Sequence, residues 1–163
     1  MADDTTSDGP GDRYPTSLGH VHLKVRDLDR AVEFYRELLG LDVRERLDAY
    51  AFLTFGDHHH DLALQRVGSG ASGPDPGPSV GLYHAAFEVD SPEALAAVHD
   101  RVRARGIPVS PVDHGISKAL YFDDPDGNGV EVYYDTRAER DRQDWQGRNE
   151  PFDPAELGES NGE

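Results

Sequence analysis

From Gly19 to Val25 the chain alternates between polar and apolar positions. Val21, Leu23 and Val25 fall on one face and His20, His22 and Lys24 on the other, the period of a half-buried strand. The spacing then becomes helical. Leu28, Ala31, Val32, Tyr35, Leu38 and Leu39 share one stripe, Asp27 stands at the N-cap position, and Gly40 follows the last turn. Short strands are predicted over 41–47, 50–55 and 60–67, the last two joined by a turn at 56–59. The run GSGASGPDPGPS at 68–79 is too polar and too broken by Gly and Pro for an element, and reads as a linker. Beyond it the order repeats. LYHAAFEV alternates as the first strand did, with His84 in the place of His20. Ser91 and Pro92 open a helix whose stripe is Leu95, Val98 and Val102, and Gly106 ends it. Strands are predicted over 108–111, 119–123 and 129–134. His20 is as far from His84 as Asp27 is from Ser91, so the chain reads as one unit used twice.

This pattern predicts an α+β fold of two βαβββ modules whose sheets form an open barrel-like cup. The expected organisation is a disordered acidic tail at 1–16, one domain at 17–135 and an acidic C-terminal tail at 136–163. Within the domain, module one covers 17–67, the linker 68–79 and module two 80–135. In the C-terminal tail the aromatic residues are Trp145 and Phe152. Either the tail is loosely held, or one of these packs over the mouth of a site.

Composition narrows the setting. The chain of 163 residues has no cysteine, which excludes a disulfide frame and thiolate metal sites. Its net charge of −16 argues against nucleic acid and anionic membranes as partners. The base is almost all Arg, with Lys24 and Lys118 the only lysines. Such a surface suits high salt, as in halophiles, or simply marks an acidic protein. No apolar run is long enough to span a membrane and no basic–apolar leader opens the chain, so the expected place is the cytoplasm.

Candidate chemistry centres on Glu131, which sits mid-strand between Val130 and Val132. A carboxylate there is costly to bury unless something pairs it. His20 and His84 occupy equivalent positions in the two halves. If the halves are related by a pseudo-twofold axis, both can converge on Glu131. Two imidazoles and a carboxylate on one face of a metal leave positions open, which suits iron(II) and oxygen chemistry. The loop before Glu131 also starts like a calcium loop, with Asp124, Asp126, Asn128 and Gly129. Its flanks alternate as strands, Pro125 holds the second position and Asp135 stands where Glu belongs. The loop is therefore read as a connector.

The segments GHVHLKVRDLDRAVEFYRELLGLDV, YHAAF and YFDDPDGNGVEVYYD resemble the vicinal oxygen chelate superfamily, across about residues 18–135. That group includes glyoxalase I, fosfomycin and bleomycin resistance proteins and extradiol catechol dioxygenases. The resemblance implies paired βαβββ modules around one divalent metal held by His20, His84 and Glu131. Glyoxalase I adds a carboxylate from the last strand of the first module. Overlaying HHDLALQR on GNGVEVYY puts Ala63 there, with Gln65 as a weak substitute. This counts against a glyoxalase and leaves a three-ligand fosfomycin-type transferase open. The run GDHHHDLAL resembles the dioxygenases' segment that supplies a non-ligand histidine, which implies a catalytic role for His60 beside His59. The same resemblance implies catalytic roles for Tyr121 and for His114, which otherwise reads as a surface-loop histidine.

Taken together, the resemblance implies an iron(II)-dependent extradiol dioxygenase, with manganese(II) as the alternative metal. Its partners would be a small aromatic diol, molecular oxygen and a second copy in a homodimer. The other readings are a metal-dependent glyoxalase or fosfomycin-type thiol transferase, and a drug-binding resistance protein that needs no metal ligands. His22 is expected to line the pocket. His99 is expected on the surface, and Arg101, Arg103 and Arg105 are expected to meet the carbonyls of their own helix end.

Overall fold

A computed structural model describes residues 14–157. Most of the predicted acidic N-terminal tail, and the last residues of the C-terminal one, lie outside the described residues. Module one runs β1 (Val21–Val25), α1 (Leu28–Leu39), β2 (Asp42–Arg46), β3 (Tyr50–Thr54) and β4 (Leu62–Arg66). Module two runs β5 (Ala85–Val89), α2 (Pro92–Ala104), β6 (Ser110–Asp113), β7 (Ser117–Asp123) and β8 (Gly129–Asp135). A short helix α3 (Arg137–Arg140), a two-residue strand β9 (Glu150–Pro151) and a 3-10 turn (Pro154–Leu157) follow. The fold is α+β and is that of the expected paired βαβββ modules.

The helix ends are set by local chemistry. Asp27 accepts the Arg30 N–H at 3.0 Å, and Ser91 accepts the Ala94 N–H at 3.1 Å. Gly40 closes α1 at φ +77°, a conformation that a side chain disfavours, and donates to the Arg36 carbonyl. Each module makes its own sheet, in the orders β1-β4-β3-β2 and β5-β8-β7-β6-β9, and among the described residues no strand of one pairs with a strand of the other. In each, the first and last strands of the module are parallel neighbours. His22 lies opposite Ala63 in one, and Ala86 opposite Glu131 in the other. Ala63 is thus the structural counterpart of Glu131.

One core serves both modules. Leu23, Val25, Leu62 and Leu64 of the first sheet join Leu120, Phe122, Val130 and Val132 of the second, with α1 and α2 contributing to the same cluster. α1 lies against β3 and β4 of its own sheet, and its Phe34 reaches across to Phe122 of β7 with ring centroids 6.2 Å apart. Each fully buried Leu or Val is worth roughly 1.5–3 kcal/mol, which makes this shared cluster the main stabilising feature. The cost is geometric. Each sheet gives one face to the core and turns the other away from it. The outer faces carry His22 and Lys24 in one sheet, and Tyr121, Glu131 and Tyr133 in the other.

The loop 124–128 does more than connect two strands. Asp126 is buried and accepts the Arg26 N–H at 3.1 Å, the Arg26 guanidinium at 3.0 Å and the Arg30 guanidinium at 2.8 Å. Asp124, also buried, accepts the Tyr35 hydroxyl at 3.0 Å and the Asn128 side-chain amide at 2.9 Å. These carboxylates, which resembled calcium ligands, instead clasp module one to module two. Arg101 likewise reaches across. Its guanidinium donates to the Leu38 carbonyl of α1 rather than to its own helix, and Arg105 pairs with Glu37.

The tail beyond β8 is held, as far as it is described. β9 pairs with β6, Leu157 is buried, and Phe152 packs against the core beneath the Lys118 ammonium. No helix among the described residues is long and apolar enough to cross a membrane.

Candidate functional site

The candidate residues fall into two clusters. In module two, β5, β7 and β8 lie side by side and place His84, Tyr121 and Glu131 on one face. His84 stands just before β5, with Nε2 2.7 Å from Glu131 Oε2. The Tyr121 hydroxyl lies 2.8 Å from Glu131 Oε1 on one side and 2.8 Å from His114 Nε2 on the other. His114 Nδ1 faces the Arg148 carbonyl at 3.3 Å. Burial, the hydrogen bond to Glu131 and its charge push the Tyr121 phenol well above its ordinary pKa, so it stays protonated. Tyr133, two residues beyond Glu131 on β8, is pushed up to about 12 by burial and by Glu88.

The protons of this chain can be counted. Three contacts link the Arg148 carbonyl, His114, Tyr121 and Glu131, and each needs one hydrogen. A neutral imidazole and a phenol bring two. All three contacts are made only with a third hydrogen, on the second nitrogen of His114 or on the Glu131 carboxyl. With one fewer proton, the Tyr121 hydrogen is shared between two acceptors. The arrangement can store and move one proton across the face where Glu131 sits.

His84 Nδ1 is buried and has no hydrogen-bond partner among the described residues. The backbone behind His84 is positioned by Gly129. A Cβ there would overlap the Tyr83 carbonyl oxygen and press on His84, so only glycine lets β8 start this close to β5. A cavity of about 610 Å³ opens beside His84 and Tyr121, with Phe34, Tyr83, Ile107 and Pro108 on its walls.

In module one, His20 stands just before β1, and its ring lies 4.3 Å from that of His60. His60 is flanked by Phe52 at 5.0 Å and His59 at 5.3 Å. Partial burial, and then His20 and His59, hold the His60 imidazole below its usual pKa, with Asp61 pulling the other way. His22 lies near Tyr50, whose hydroxyl takes the Gln65 amide at 3.1 Å. This bond engages the amide nitrogen of Gln65, the weak substitute for the ligand that Ala63 cannot supply. His99 lies outside both clusters, beside Asp100.

Of the three expected metal ligands, the single chain therefore brings His84 and Glu131 into contact and leaves His20 with His60. Among the described residues no three His, Asp or Glu side chains are gathered closely enough to hold a metal ion. The physical reason is the shared core, which uses the inner faces of both sheets and turns the ligand-bearing faces away from it. Sequence reasoning missed the Arg148 carbonyl, Asp113 and Gly129. Trp145 it singled out, without a partner. The Trp145 ring lies 6.3 Å from His114, and its indole N–H donates to the same Arg148 carbonyl at 2.6 Å.

Paired βαβββ modules, with a histidine just before the first strand of each and a carboxylate on the last strand of the second, define the class of protein. The sequence profile of the glyoxalase, bleomycin resistance protein and dioxygenase superfamily matches residues 17–132, and the chain belongs to that family. It is 35% identical over 131 residues to a catechol-2,3-dioxygenase of Bacillus subtilis, covering 80% of this chain and 44% of that protein. The chain spans less than two thirds of the length of the first dioxygenases it matches. It is 32% identical over 128 residues to glutathione transferase FosA of Serratia marcescens, covering 76% of this chain and 84% of that one. Among solved structures, a lactoylglutathione lyase of Agrobacterium tumefaciens is 31% identical with a TM-score of 0.56, over 74% of this chain and 94% of the other.

Proposed function

We propose that the protein is an extradiol ring-cleavage dioxygenase that opens a catechol-type substrate with molecular oxygen, working as a homodimer. The observation that carries this reading is the hydrogen-bonded line His84–Glu131–Tyr121–His114 beside a largely apolar cavity. A flat aromatic diol suits those walls, and its hydroxyl groups need the proton-handling that Tyr121 and His114 offer. The catechol-2,3-dioxygenase relative supports the same reaction class.

The metal of that reading is iron(II), with manganese(II) the alternative. A relative 30% identical to this chain carries manganese dependence in its name. One chain by itself does not fit a resident ion, because His20 is not with His84 and Glu131. Two copies answer the requirement if the outer face of module one in one copy meets that of module two in the other. His20 and His60 of the first would then complete the site begun by His84, Glu131 and Tyr121 of the second. β1 and β5 are both edge strands, and the apolar residues Leu18, Leu82 and Tyr83 flank the two histidines and are exposed. That surface suits burial between copies. When bound, the ion would gather the diol oxygens and O2 in one place. The chain's own part is to take a diol proton at His114 by relay through the Tyr121 hydroxyl, to present the His60 imidazole from the other side, and to exclude water through the apolar walls.

Purification without air, reconstitution with iron(II) and addition of oxygen with a panel of catechols should give coloured ring-fission products. No turnover of any catechol, with metal-dependent turnover of a methylglyoxal–thiol adduct, would overturn the reading. The three-ligand thiol transferase is the second reading, because Ala63 leaves the fourth position without a carboxylate in either case.

A further inference from the structure

We propose that the C-terminal segment from Trp145 to Pro151 is a positioning element for His114, acting by holding the Nδ1 side of its imidazole on the Arg148 carbonyl. The segment is otherwise hard to account for. It is mostly polar, yet it is fastened at several points around one residue. Asp113, adjacent to His114, is buried and accepts the Arg140 guanidinium at 2.7 and 3.0 Å, with Arg148 at 3.6 Å. Asp113 also accepts the Gly115 N–H at 2.7 Å, which shapes the turn that carries His114. β9 pairs with β6 at Val112 and Asp113, the two residues just before the histidine. Arg148 is held a second time by Glu150 at 2.9 Å. Its carbonyl then faces His114 Nδ1, while Trp145 donates to the same oxygen and sets its ring edge-on to the imidazole.

The consequence is a fixed tautomer. A carbonyl only accepts, so the neutral imidazole is held with its hydrogen on Nδ1. Nε2 is left to face Tyr121, and the proton line toward Glu131 runs through that nitrogen alone. A free imidazole exchanges between both forms, and with the hydrogen on Nε2 it would set a bare Nδ1 against the carbonyl oxygen.

The turnover part of the test rests on the dioxygenase reading; the tautomer part does not. With nitrogen-15-labelled histidine, NMR of the substrate-free protein should show neutral His114 with hydrogen on Nδ1. Asp113→Asn, which loosens Arg140 and Arg148, and Trp145→Ala, at a half-exposed position, should each let both tautomers appear. In the same variants kcat for a catechol should fall about tenfold, with KM changed less than about twofold. Trp145→Phe, which keeps a ring beside His114, should recover part of that loss. A wild-type His114 with hydrogen on Nε2 or averaging between forms would overturn the proposal. So would unchanged tautomer and turnover in Trp145→Ala, which stays informative even if Asp113→Asn does not fold. Absent catechol turnover in the wild type with the Nδ1 form intact would count against the function and leave the positioning standing.

Discussion

Mixing two inactive variants tests whether the clusters of one copy serve the site of another. His20→Ala removes the imidazole from the first cluster and leaves the second untouched. The side chain is exposed, so the fold should lose little. Glu131→Gln removes the charge from the second cluster, and its amide can still meet Tyr121. In a symmetric dimer with sites shared across copies, each variant alone has two broken sites. A mixed dimer has one site broken twice and one intact. Random exchange makes about half the dimers mixed, so about a quarter of all sites should regain their three ligands. Manganese(II) bound per chain, read by EPR, should rise from near nothing in either variant to about a quarter of wild type in the mixture. Catechol turnover should follow the same proportion. A mixture that stays at the average of its two components, or a wild type that binds manganese(II) as a monomer, would refute the shared site.

Three further outcomes follow from the geometry. Asp126→Ala should lower stability by about 2 kcal/mol, less than a fully buried pair because Arg26 and Arg30 are partly exposed, and denaturant titration reads it directly. Gly129→Ala should force Tyr83 and His84 away from β8, so metal affinity should fall at least about tenfold in a calorimetric titration while the helical circular dichroism is kept. Burial alone would raise the Asp113 carboxyl, but the bonds from Arg140 and the Gly115 N–H, with nearby Arg148, outweigh it and hold the carboxyl below its usual range. A folded value below the unfolded one means that Asp113 stabilises above about pH 4, and that this contribution is lost as pH falls through the folded value. Stability measured between pH 5 and pH 3 should therefore drop less steeply in Asp113→Asn than in the parent.

The elements and their repeat were legible because alternation, helical stripe and caps are local. Asp27, Ser91 and Gly40 act within a few residues of where they stand. The equivalence of Ala63 and Glu131 was legible too, since overlaying the last strands of the two modules aligns them, and the register against His22 and Ala86 agrees. What alternation cannot give is the partner of each face. The helical stripe says that Tyr35 goes inward, not that it meets Phe87 of the other module, and it leaves out Phe34, which meets Phe122 of β7. That choice decides whether His20 lies beside Glu131 within one chain. The clasp was hidden for a similar reason, because Arg26 and Asp126 are separated by 100 residues and look like ordinary surface charges. The grip of Arg140 and Arg148 on Asp113 was hidden in the same way.

The shared core also bears on what a protease would find. Between Pro74 and Pro78 the linker is exposed and contributes nothing to the buried cluster, while Ala71 just before it is held by Arg26. A single cut there severs the polypeptide without removing one core contact. The two pieces remain joined through α1 against β7 and through Asp126, so a nicked chain would migrate as two bands when denatured and as one particle when native. Neither piece is a miniature of the whole. Each needs the other to complete the shared core, although their sequences repeat the same plan.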